Sequence, residues 1–152
     1  MNESERIADQ LHRAFHGKAW HGPAVKEALE GVSAGTALAK PFPDAHSIWE
    51  LVHHLTAWIA EVDATVRGKP YESLQGDRDW PPVTEISSAA WEQSLVHLDK
   101  AQTSLEQAVR GFPPEQLGEG DRSSYTLLHA IAQHNIYHAG QIVLLKKAAA
   151  GR

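Results

Sequence analysis

Four stretches of this chain repeat apolar residues at three- and four-residue intervals, and each is cut off by glycine or proline. Nothing of comparable length shows the two-residue alternation of a strand, so the pattern predicts an all-α fold. The first helix is expected from about Glu3 to His16, with Ile7, Leu11 and Phe15 on one side and Gly17 as its stop. After the turn signal His21-Gly22-Pro23 a short helix is expected from Ala24 to Glu30, and PFPDAHS closes the irregular stretch. The second long helix starts at Ser47, where Ser47 and Glu50 form the S-x-x-E pattern that satisfies unpaired amides of a first turn. It should run to Arg67 and end at Gly68. Pro70, Gly76, Pro81 and Pro82 keep the next segment in loop. A third long helix is expected from about Ser88 to Arg110, and a fourth from Ser123 or Ser124 to about Ala149. In one chain of 152 residues, four such helices predict a single domain, residues 1–152, folded as a four-helix bundle.

The balance of residues removes several classes of function. Nineteen acidic residues against fourteen basic ones give a formal charge of -5, and no stripe of Lys or Arg could follow a phosphate backbone, so no nucleic-acid partner is expected. With no cysteine there are no disulfides, no thiolate metal sites and no protein-borne thiol nucleophile. Any metal must be held by nitrogen or oxygen. The amino terminus is charged and amphipathic, and no apolar run approaches the roughly 20 residues of a membrane span, so a soluble cytoplasmic protein is the expectation.

Ten histidines remain, and the faces they occupy separate them. On the fourth long helix Leu127, Ile131, Ile142 and Leu145 define an apolar stripe at about 100° per residue, and His134 and His138 fall inside it. An imidazole buried among Leu and Ile needs partners for both ring nitrogens. Two of them one turn apart are satisfied together by a metal ion, the i, i+4 arrangement of HExxH sites, or separately as hydrogen-bonded core histidines. His12 and His16 repeat the spacing but lie off the face set by Ile7, Leu11 and Phe15, and read as solvated.

A third ligand has a candidate in ELVHHLTAW. Ile48, Leu51, Val52, Leu55, Ile59, Val62 and Val66 set the inward stripe of the second long helix; His53 lies nearly opposite and His54 lies at the stripe's edge. That edge suits a ligand lining a cavity, and equally a surface histidine with one wet face. Gln141, one turn beyond His138, is a candidate to hydrogen-bond a water or substrate, and Tyr137 to offer its hydroxyl, with packing as its plainer role. Glu50 and Glu61 are candidates to orient His54, with capping the simpler role for Glu50. Trp20 and His21 lie in a loop where function often concentrates, with no local sign that they reach a metal. His46, His97 and His129 read as surface residues without partners.

HSIWELVHHLTAW, followed after some distance by LLHAIAQHNIYHAGQIVLLKK, resembles the DinB family, the DinB/YfiT-like metal-dependent enzymes. The family pattern is a histidine just before a leucine in the second helix, here His54 before Leu55. It continues with HxxxH and then G-Q in the last long helix, here His134, His138, Gly140 and Gln141. WHGPAV near the start looks like a feature of one branch. The resemblance implies a DinB-type bundle, a divalent ion, commonly zinc or nickel, on three histidines, and often a homodimer. It leaves the reaction open, because the family includes transferases and isomerases that use low-molecular-weight thiols beside proteins of unknown activity.

Three neutral imidazoles leave an ion with a net charge near +2 and an open position, as in catalytic zinc sites. A thiol from outside could bind there as thiolate and attack a small electrophile, which is the reading the resemblance favours. The nearest rival is a hydrolase that activates water at the ion. The remaining possibility is a non-catalytic, metal-stabilised helical protein that binds partners or serves in stress.

Overall fold

The computed structural model describes residues 1–151; Arg152, the end of the expected domain, lies outside them. Among the described residues there are six α-helices and no strand: α1 (Glu3–His16), α2 (Val25–Leu29), α3 (Ala34–Leu38), α4 (Ile48–Val66), α5 (Ser88–Arg110) and α6 (Ser124–Ala150). Short 3-10 turns at Gly76–Arg78 and Pro114–Gln116 punctuate the loops. The four long helices start and stop where the sequence places them. Helix α3 was not expected. Its five residues are too few to show a period, and it rests on Ser33, whose hydroxyl accepts from the Thr36 amide.

The helix starts have identifiable causes. Asn2 and Glu5 form a reciprocal capping box on α1, and Ser47 and Glu50 do the same on α4, each pair satisfying two amide donors that the first turn leaves open. Ser87 and Ser123 cap α5 and α6. Because α4 carries His54, its cap also fixes the axial position of that ring.

Helices α4 and α1 each pack against both α5 and α6, so α1 faces α4 across one diagonal of the bundle and α5 faces α6 across the other. The short α2 lies on α1 and α6, while α3 bridges α4, α5 and α6. Helix α6 therefore packs against α1, α2, α3 and α4, which is why its apolar residues spread around its circumference instead of forming one narrow stripe. Phe15, Trp49, Leu55, Ile59, Leu98, Leu105, Leu128 and Ile142 fill the centre and are almost wholly inaccessible. The buried indoles keep their polar edges satisfied: Trp91 Nε1 donates to the Val32 carbonyl at 2.8 Å and Trp49 Nε1 to Ser94 Oγ at 3.0 Å.

His53, expected on the outer side of α4, is instead half-buried at the α4–α5 seam, within 3.2 Å of the Pro81 carbonyl and 3.1 Å of Ser94 Oγ. Being clasped by α5 on one side and α6 on the other gives α4 a buried arc wider than its apolar stripe. Among the described residues no helix is long and apolar enough to cross a membrane.

Two substitutions test this packing by chemical denaturation. Leu55→Ala removes a fully buried side chain from the centre and is expected to cost about 2–5 kcal/mol. Gly140→Ala should move the midpoint the other way by about 0.5–1 kcal/mol, because Gly140 is exposed in mid-helix and nothing lies within 4 Å of where its Cβ would stand.

Candidate metal centre

Helices α4 and α6 are neighbours, and the burial of their apolar faces turns three imidazoles toward one point. On α4, burial of Leu51, Leu55, Ile59 and Val62 leaves His54 at the edge of the packed arc, 5% exposed. On α6, burial of Ile131, Ile142 and Leu145 brings His138 inward, also 5% exposed, with His134 half-buried one turn earlier. The His134 Nε2 atom lies 3.0 Å from His54 Nε2 and 3.1 Å from His138 Nε2. The structure thus brings together the three rings singled out in the sequence.

The proton positions decide what such a cluster can hold. His54 Nδ1 lies 2.8 Å from the Asp79 carbonyl oxygen and 3.1 Å from Asp79 Oδ1, both acceptors, so this nitrogen carries the proton and donates. His138 Nδ1 donates in the same way to Gln141 Oε1 at 2.6 Å. In the neutral rings, therefore, both Nε2 atoms present lone pairs. His134 Nε2 holds at most one proton and can serve only one of its two neighbours, and its Nδ1 is buried without a hydrogen-bond partner among the described residues. At least one lone pair is left facing another nitrogen, a repulsive arrangement that a cation would relieve. Four-coordinate zinc with Zn–N bonds of about 2.0–2.1 Å separates its ligand nitrogens by about 3.3 Å, close to the spacing found here. The residues present fit a divalent ion.

Burial also keeps the rings unprotonated. His134 is lowered from 6.5 to about 3, first by desolvation and then by the neighbouring His138 and His54. His54 and His138 are likewise lowered chiefly by desolvation, opposed by Asp79 in the first case and by the Gln141 hydrogen bond in the second. At neutral pH all three offer nitrogen lone pairs.

The segment between α4 and α5 supplies what the helices do not. Asp79 takes its place by accepting from Trp58 Nε1 at 2.7 Å, and its carboxylate beside His54 forms the carboxylate–histidine pairing that orients ligands at metal sites. Trp80 stacks on His54 with ring centroids 3.9 Å apart and planes within 9°, and also on His46 at 3.5 Å. Neither Asp79 nor Trp80 was tied to His54 in the sequence. The available signal was an Asp-Trp pair set immediately before Pro81-Pro82, an aromatic with no helix to belong to.

Other expected roles change. Glu50 is occupied by its cap and by Lys40. Glu61 accepts from the Glu72 amide and pairs with Lys69 and Arg78, so neither glutamate orients His54. Gln141 is committed to His138 through its carbonyl and donates to the Tyr137 hydroxyl at 3.4 Å, making it a positioning residue. Tyr137 is 65% exposed and stands at the mouth of the site. Among the histidines read as partnerless, His46 stacks on Trp80, His97 bonds Gln93, and His129 meets the Tyr125 ring edge-on. The pair read as solvated, His12 and His16, converges on Glu106. Trp20 and His21 border a separate cleft with Asp9, Arg13 and Ile136, away from the three rings.

Clefts reach the cluster from more than one direction. One, of about 470 Å³, is walled by Trp58, Trp80, Tyr137, Leu127 and Ile131 around all three histidines; another, of about 370 Å³, approaches His138 past Phe42, His46 and Leu144. Tyr137 and Trp80 border both.

An all-helical bundle with three convergent, solvent-reachable imidazoles on two of its helices defines a class of candidate metalloprotein. The family model of the DinB superfamily matches residues 19–142, and the chain belongs to that superfamily. Comparison with curated proteins and with solved structures finds no match.

With all three folded-state pKa values depressed, the unfolded chain binds protons that the folded, metal-free chain refuses. Stability of the metal-free protein should therefore be full above about pH 6.5 and fall as the pH drops from there toward about 3, with urea midpoints against pH as the measurement. His134→Gln should flatten that slope. Asp79→Asn should weaken zinc binding about tenfold, the low end of the usual outer-partner effect, because the backbone carbonyl still orients His54.

Proposed function

We propose that this protein is a metal-dependent enzyme in which His54, His134 and His138 hold a divalent ion, zinc or nickel, and in which an external low-molecular-weight thiol is transferred to a small electrophile. The observation that carries the reading is the convergence of three Nε2 atoms at the floor of an aromatic cleft. The chain has no cysteine, so any sulfur nucleophile must come from outside.

When bound, a divalent ion supplies positive charge that favours the deprotonated form of a thiol brought to it. The protein's own groups do the rest. His54 and His138 are locked by Asp79 and Gln141 with their Nε2 lone pairs aimed inward, so little reorganisation accompanies binding. Trp58, Trp80, Leu127 and Ile131 offer an apolar wall to the electrophile and thin the water around it. Tyr137 Oη accepts from Gln141 and has a proton left to donate, which suits a developing negative charge on the leaving group. In the transfer the thiol sulfur gives up its proton and forms a bond to carbon. The bond from that carbon to the leaving group breaks with its electron pair, and the departing group takes up a proton.

The carboxylate nearest the rings, Asp79, is spent on His54 and Trp58, which leaves it poorly placed as a base toward water and weighs against hydrolysis. Metal analysis of purified protein should find the ion in the wild type and its loss in His54→Ala and His138→Ala; full retention in both would overturn the site. Metal-loaded protein is then given thiols with alkyl or epoxide electrophiles and, separately, esters and amides. Thioether formation that disappears on chelation is the expected result, and Tyr137→Phe should lower its rate about 10²-fold or more without changing metal content. Turnover of the esters alone would make the protein a hydrolase, and silence in both panels a non-catalytic metal protein.

A further inference from the structure

A second cluster lies on the other side of the bundle, where α1 crosses α5. His12 Nδ1 is 3.0 Å from Glu106 Oε2 and His16 Nε2 is 3.3 Å from Glu106 Oε1. The two rings, one helical turn apart, stack with centroids 4.4 Å apart. One ligand atom from each of the three residues falls within 4.8 Å of the others.

Glu106 is a demanding group to keep there. It is only 8% exposed, and among the described residues it pairs with no lysine or arginine. Its ion-pair neighbours are two imidazoles, which unlike a lysine or arginine carry no permanent charge. A buried carboxylate without a full counter-charge is costly. The fold nevertheless fixes its orientation. Gln102, fully buried, donates from Nε2 to Glu106 Oε1 at 2.8 Å, and Asn135, also fully buried, donates to Gln102 Oε1 at 3.3 Å. Holding a carboxylate from behind in this way, with its other lone pairs turned toward two histidines, is what an outer hydrogen-bond partner does for a metal ligand.

We propose that His12, His16 and Glu106 form a second divalent-cation site, independent of the three-histidine centre and tying α1 to α5. Two imidazoles and one carboxylate suit zinc, nickel, cobalt or copper rather than magnesium or calcium, which prefer all-oxygen shells. His12, with 52% of its side chain exposed, puts the site at the surface, where water can complete the shell and the ion can exchange. Affinity below that of the buried centre follows.

The test uses the full chain, stripped of metal by chelation and titrated with zinc against a chromophoric competitor. Wild type is expected to bind two equivalents, the second more weakly. In a His54→Ala/His138→Ala background the weaker equivalent should persist and still raise the melting temperature, because an ion that binds only the folded state stabilises it. His12→Gln and Glu106→Gln in that background should each weaken the remaining binding about tenfold or more and abolish the thermal shift. His12→Gln replaces a half-exposed side chain and carries little folding risk, which circular dichroism checks. A single equivalent in the wild type, or a second equivalent whose affinity is unchanged by His12→Gln and Glu106→Gln, would overturn the site while leaving the three-histidine centre untouched.

Discussion

Three imidazoles whose Nε2 atoms crowd together at about 3 Å, at the rim of an aliphatic and aromatic core, set the terms for much of this molecule. One proton on His134 can relieve only one of its two close contacts, and burial opposes a second. An apolar replacement would pack with less conflict. The chain instead spends a capping box, a loop and two hydrogen-bonded side chains on keeping the rings in place. Such local inconsistency within a consistent fold is where function is expected. The bundle tolerates it because the ring cluster sits at the rim of the α4–α6 seam, while Leu55, Ile59, Leu128 and Ile142 carry the packing beside it.

Helices alone do not complete the site. Residues 67–87 leave α4, fold back through the turn at Gly76–Arg78, and set Asp79 and Trp80 against His54 before α5 begins. Several contacts fasten this segment, among them ion pairs of Lys69 and Arg78 with Glu61 and two contacts beside the rings. Trp58 Nε1 holds the Asp79 carboxylate, and the Pro81 carbonyl lies against His53 Nδ1. The same segment orients a prospective ligand with Asp79 and forms a cleft wall with Trp80, so binding and access are coupled through one piece of chain. Adjacent histidines on α4 divide the work: His54 faces the cluster and His53 anchors the loop that braces it.

Much of this was legible from periodicity. A helix turns by a fixed angle per residue, so the apolar stripe of α6 turned His134 and His138 inward, while that of α4 set His53 nearly opposite and left His54 at its edge, open to a cavity or to a wet face. What periodicity carries is direction relative to a helix's own stripe. It does not carry which neighbour occupies the other side, so His53 was misjudged and the convergence of His12 and His16 on Glu106 was missed. Asp79 and Trp80 were out of reach for a different reason. A loop's position depends on where two helices have already packed, and no local repeat encodes that. One further signal stood in the sequence unused: Gln102 occupies an inward register between Leu98 and Leu105, and a polar residue there asks for a buried partner.

That partner connects the two halves of the molecule. Asn135 follows His134 on α6, reaches Gln102 on α5, and through it touches Glu106 opposite α1, so a short line of buried amides runs from behind the three-histidine cluster to the His12–His16 cluster. Apolar side chains could fill this space at less desolvation cost, yet both amides are fully buried and Asn135 Oδ1 has no partner among the described residues. The arrangement makes sense as orientation. Gln102 can support the Glu106 carboxylate only if its own amide is held the right way round, and Asn135 does that by donating to Gln102 Oε1. The residue that neighbours one cluster thus sets the geometry of the other, and α6 contributes to both without a single side chain shared between them.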